Sequence, residues 1–91
     1  MKPLVEYKGL VLKKSEASIL KYLEKYREGR VWDIAKETGY SFSTMSVAMR
    51  RLREMGLVEE TNKHAVYTLT KGAKERLSKI KDDEIRVVKK T

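Results

Sequence analysis

The chain contains no cysteine and no glutamine, and a single proline (Pro3), asparagine (Asn62), histidine (His64), tryptophan (Trp32) and phenylalanine (Phe42). Without cysteine there is neither a disulfide nor a thiolate metal site. With one histidine, any metal site would draw every other ligand from carboxylates, so metal sensing is not expected. The Walker loop, GxGxxG, HExxH and nucleophile-elbow patterns are all missing, and no cofactor is expected. No run approaches the roughly 18 apolar residues of a membrane-spanning helix, and no signal-peptide core follows Met1-Lys2-Pro3. A cytoplasmic protein with no membrane partner is the expectation. The scarcity of thermolabile side chains beside 37% charged residues resembles the composition of hyperthermophile proteins.

What is present is compact and basic. Ninety-one residues make one small domain with a marginal core, which helix packing or oligomerisation must support. Lys and Arg number 21 against 13 Asp and Glu, for a net charge of +8 and a pI near 9.8. That excess points to a polyanionic partner, nucleic acid before membrane. The adjacent carboxylates Glu59-Glu60 and Asp82-Asp83 do not form a convergent acid/base pair: the first lies in a strand pattern whose neighbours face opposite ways, the second in the tail. No catalytic residue and no enzymatic activity are expected.

Hydrophobic spacing divides the chain into three parts. Residues 1–14 read as an arm or short strand, with β-branched and aromatic residues around Gly9 and Pro3 opposing a helical start. Residues 15–81 carry the domain. Ser15 is the expected N-cap of a first helix with Ile19, Leu20, Leu23 and Tyr26 at helical spacing, running up to Gly29. Val31–Thr38 is a second, short helix ended by Gly39. A third runs from Ser41 to Gly56, only a few residues later, which is the helix-turn-helix signal. Leu57–Glu60 and Ala65–Leu69 flank the polar turn Thr61–His64 as a hairpin, and Thr70 caps a last helix through Leu77 and Ile80. Residues 82–91 extend that helix or form a flexible tail.

This order of elements resembles the winged helix-turn-helix family of transcription regulators, especially its MarR/PadR-like and archaeal or archaeal-virus branches. Three passages carry the resemblance. Val31–Tyr40 resembles the family's second helix and turn, Ser41–Val58 its recognition helix and wing entry, and Tyr67–Gly72 the corner after the wing. The resemblance implies an α+β, mostly α fold, with a three-helix core, a β-hairpin wing and a C-terminal helix. It also implies sequence-specific binding of double-stranded DNA as a homodimer, the front half of helix 41–55 entering the major groove.

The recognition helix can be phased independently. At about 100° per residue, Met45, Ala48, Met49 and Leu52 share the core stripe. Ser43, Val47, Arg50 and Glu54 then lie opposite, with Ser46 nearby. Arginine bonds guanine bidentately, serine any base edge, and valine a thymine methyl. The expected base readers are Ser43, Ser46, Val47 and Arg50, with Thr44, Arg51 and Lys63 on phosphates. Phe42 falls near the core side and is expected to pack against the turn, and Arg53 to cover the core with its stem. Arg30 and Lys36 are further candidates for backbone contacts. The homodimer is expected through the N-terminal arm (Leu4, Val5, Tyr7, Leu10, Leu12), a C-terminal stripe (Leu77, Ile80, Val87, Val88), or both. Lacking the extra helices of the MarR family, the chain is not expected to hold a sizeable effector pocket. Two other readings stay open: a protein-interaction module using Phe42 and Val47, and an architectural protein binding any duplex.

Overall fold

The structure is a computed structural model, described over residues 4–82 and 84–88. Pro3 and Asp83, which entered the sequence reading, lie outside the described residues.

The chain opens with a β-hairpin, β1 (Leu4–Tyr7) and β2 (Leu10–Lys13), with Tyr7 opposite Leu10. Lys8 and Gly9 both take positive φ, 48° and 80°, as the two-residue turn matching the twist of such a hairpin requires. Alternation then sorts the side chains: Val5, Tyr7, Leu10 and Leu12 are buried, whereas Leu4, Glu6, Val11 and Lys13 are exposed. Most of the apolar arm offered as a dimer surface is therefore part of this domain's own core.

Helix α1 (Lys14–Tyr26) follows without a break. Its N-cap is Lys13 rather than Ser15, because Glu16 reaches back and accepts the Lys13 backbone N–H at 3.0 Å. The helix ends earlier than Gly29. Arg27, at φ 72°, turns the chain left-handed while its N–H bonds Leu23 O at 2.9 Å. This costly conformation for a side-chain-bearing residue is pinned from outside: the Thr68 hydroxyl donates to Arg27 O at 2.8 Å.

A strand absent from the sequence reading comes next, β3 (Glu28–Gly29). Helix α2 (Val31–Thr38) and Gly39, at φ 83°, agree with expectation. Helix α3 (Phe42–Glu54) is capped by Ser41, whose Oγ accepts the Thr44 N–H at 3.1 Å. Strands β4 (Val58–Glu60) and β5 (Tyr67–Leu69) form the wing, and β3 joins it, giving the order β3-β5-β4. Thr70 caps α4 (Lys71–Ser78): its Oγ1 accepts the Ala73 N–H at 3.2 Å and donates to Gly56 O at 2.8 Å.

The tail corrects another expectation. Instead of extending α4, Arg86–Val87 forms β6 and pairs antiparallel with β1, so the first sheet runs β2-β1-β6. The supposed stripe Leu77, Ile80, Val87 and Val88 does not exist. Leu77 is buried in the core, Ile80 follows the end of α4, and Val87 lies on a sheet edge.

One core unites these parts: Ile19, Leu20 and Leu23 of α1, Ile34 of α2, Met45 and Leu52 of α3, and Leu77 of α4, with Tyr7 and Leu12 from the hairpin. Its effect on function is to fix the roll of α3, leaving one ridge of that helix outward.

Candidate nucleic-acid interface

Phasing of α3 holds residue by residue. Met45, Ala48, Met49 and Leu52 are buried, and Ser43, Val47, Arg50 and Glu54 are exposed, with Ser46 half-buried. Among the described residues no carboxylate is paired with Arg50. The helix N-terminus is tied off locally, since the Ser41 hydroxyl also donates to Thr44 Oγ1 at 2.9 Å.

The outward ridge separates two grooves. On one side a groove of 610 Å³ lies between α3 and the N-terminal sheet, and Ser43, Thr44, Val47 and Arg51 border it with Lys13 and Lys14. On the other side a groove of 340 Å³ lies between α3, α2 and the wing, bordered by Ser46, Arg50, Arg53 and Arg30. The candidate base readers thus straddle one ridge, two on each flank.

Three cations are already engaged. Arg51 donates through Nε to Glu16 Oε2 at 2.7 Å, and that carboxylate is almost wholly buried. Arg53 lies over the Tyr67 ring at 5.6 Å, a cation–π contact rather than plain cover of the core. Lys63, at the wing tip and well exposed, stands 3.8 Å from Glu28 of β3. That exposed pair is weak and open to exchange for a stronger anion.

Phe42 departs from expectation. Instead of packing inward against the turn it meets Trp32 of α2, ring centroids 4.9 Å apart and tilted by 41°. Both rings remain open to solvent, Trp32 at 68% and Phe42 at 43%. The sequence reading left Trp32 unassigned. The available signal was a large aromatic at the start of a short helix, off the stripe of Ile34 and Ala35. Lys13 and Lys14 add two cations that the hairpin brings beside α3.

Residues 14–60 match the family described as bacterial regulatory protein, arsR family, and they make up more than half of the chain. The chain belongs to that family. Solved structures agree on the fold of this arsR-family chain. A mutant of ZitR from Lactococcus lactis superposes with a TM-score of 0.70 at 18% identity, over 79% of this chain and 52% of that one. A MepR-like protein complexed with pseudoligands gives 0.63 at 30% identity, over 74% and 51%. The Zalpha domain of a cyprinid herpesvirus 3 protein, studied for its binding to Z-DNA, gives 0.59 at 26% identity, over 63% and 93%. The arsR-family chain spans about half the length of the ZitR and MepR-like proteins. None of the curated proteins matches it.

A metal site can be tested on the residues present. His64 stands fully exposed on the wing, 3.8 Å from Glu60. Among the described residues no group of three or more His, Asp or Glu side chains gathers to hold an ion. This donor set does not fit a metal-sensing site. Among the described residues no helix is long and apolar enough to cross a membrane.

Proposed function

We propose that this arsR-family chain is a sequence-specific, double-stranded DNA-binding transcription regulator that represses by occupying a promoter. The observation that carries the reading is the outward ridge of α3: two hydroxyls, one methyl-bearing side chain and an arginine without a carboxylate partner, held by a buried stripe on the opposite face. Family membership and the winged-helix fold support it, as does a net charge of +8. One of the structural relatives, L. lactis ZitR, has been solved in complex with DNA.

In this reading α3 enters the major groove, with Ser43, Ser46, Val47 and Arg50 against base edges. Thr44 and Lys63 meet phosphates. Arg51, half exposed and braced by Glu16, presents its guanidinium to another. Binding is to a two-fold site as a homodimer, which places two recognition helices about one DNA turn apart. With the C-terminal stripe gone, the outer face of the N-terminal sheet supplies the dimer surface through its exposed Leu4 and Val11.

Fluorescence anisotropy across a salt series, comparing the gene's own upstream duplex with a scrambled one, tests the reading. A preference that survives rising salt supports base readout. Equal, steeply salt-dependent binding to both would replace the regulator with an architectural protein held by phosphates alone.

A further inference from the structure

The Trp32–Phe42 pair is not explained by duplex readout. Two large aromatic rings lie side by side at the surface, where each gives up burial that would stabilise so small a domain. They border the 340 Å³ groove on the wing side of α3, at the start of α2 and of α3. Three arginines, Arg30, Arg50 and Arg53, border the same groove, and no carboxylate residue does. The groove's volume is in the range that takes a small-molecule-sized group. Open π-faces beside three arginines match the chemistry of an unstacked base joined to its phosphates.

We propose that this groove binds an unpaired nucleobase of DNA, stacked on Trp32 and Phe42, with the adjoining phosphates on Arg30 and Arg53. The chain then recognises a duplex next to a single-stranded segment, α3 in the paired part and the aromatic pair at the opening. Stacking tolerates any base, so sequence preference stays with α3. The inference rests on the proposed DNA reading and extends it to a particular kind of DNA.

Trp32 is the sole tryptophan, so emission excited at wavelengths beyond the absorption of the five tyrosines reports this site alone. The full chain is titrated with a twelve-nucleotide oligo-dT, a blunt duplex of two annealed strands, and the same duplex with an oligo-dT tail. Emission is expected to be quenched by oligo-dT and by the tailed duplex and to stay nearly unchanged with the blunt one. By anisotropy, Trp32→Ala should weaken oligo-dT and tailed-duplex binding by roughly tenfold or more while leaving the blunt duplex unchanged. Trp32→Phe should restore most of the loss. Because Trp32 is mostly exposed, neither change should threaten folding.

Blunt-duplex binding without any quenching by oligo-dT overturns this proposal alone. So does equal quenching by blunt and tailed duplexes, which would place Trp32 against an ordinary backbone. An emission shift that follows protein concentration without DNA overturns it in favour of a protein contact. Failure of every DNA to bind removes the parent reading as well.

Discussion

Glu16 and Arg51 meet across 35 positions of sequence, Nε to Oε2 at 2.7 Å, with the carboxylate almost wholly buried and the guanidinium half exposed. The same carboxylate accepts the Lys13 N–H through its other oxygen. One side chain therefore joins the end of the N-terminal hairpin, the start of α1 and the flank of the recognition helix. Arg51→Ala would leave a buried carboxylate with one donor. A loss of about 1–3 kcal/mol is expected, the range for stranding a buried polar group. Chemical denaturation measures it. A loss below half of that range would mean that water replaces the guanidinium without cost.

Gly29 carries a different constraint. A Cβ built there would lie 2.6 Å from Cε1 of the Tyr22 ring, so β3 can approach α1 only without a side chain. Gly29→Ala is expected to cost about 1–3 kcal/mol, as overpacking does, and to loosen the wing through β5. A thermal melt unchanged within error would show that the ring moves aside freely.

Both findings show where the sequence was readable and where it was not. Val31–Thr38 and the stripe Met45, Ala48, Met49, Leu52 were legible because helical periodicity and caps such as Thr70 are local signals. The turn at Arg27 was not, because glycine is the usual left-handed residue and attention went to Gly29. The Thr68 hydroxyl that holds the Arg27 carbonyl comes from far along the chain. Strand β6 was illegible for a similar reason: two residues carry no periodicity, and their partner β1 is some eighty positions away. At the candidate site the exposed face of α3 was legible from phase alone. The Trp32–Phe42 pair and the Arg51–Glu16 pair were not, because each joins residues of different elements.

The tail's attachment is expected to depend on pH. The Arg86 guanidinium bonding Asp82, at 2.6 Å, holds that carboxyl below its ordinary range, helped by the Glu84 N–H. A depressed carboxyl pKa means the contribution is complete above the ordinary carboxylate range and is lost as pH falls through the lowered value. Because the pair is exposed, the effect is confined to the tail. NMR contacts between Val5 and Val87 should weaken in acid before the core melts. Their persistence until global unfolding would detach β6 from this pair.

Dimerisation through the first sheet is tested by Leu4→Lys with Val11→Lys, both at exposed positions. Sedimentation velocity is expected to show the wild-type chain as a dimer and the double variant as a monomer with an unchanged melt. A double variant that is still dimeric would move the interface elsewhere.

Lys63 is assigned to a phosphate and is only weakly paired with Glu28. Lys63→Ala should weaken binding evenly across sequences and lower the salt slope by about one. A sequence-dependent loss would instead place the wing against bases.

The central claim is that α3 reads bases, and Arg50 is its sharpest point. The decisive measurement is the affinity of wild type and Arg50→Ala for a site selected from randomised duplexes, with every base pair of that site varied singly. A loss of about 1–3 kcal/mol, with discrimination relaxed at one base pair and kept at the others, is the predicted result. An equal loss on every duplex, or none on any, would contradict it and take the recognition helix out of the major groove.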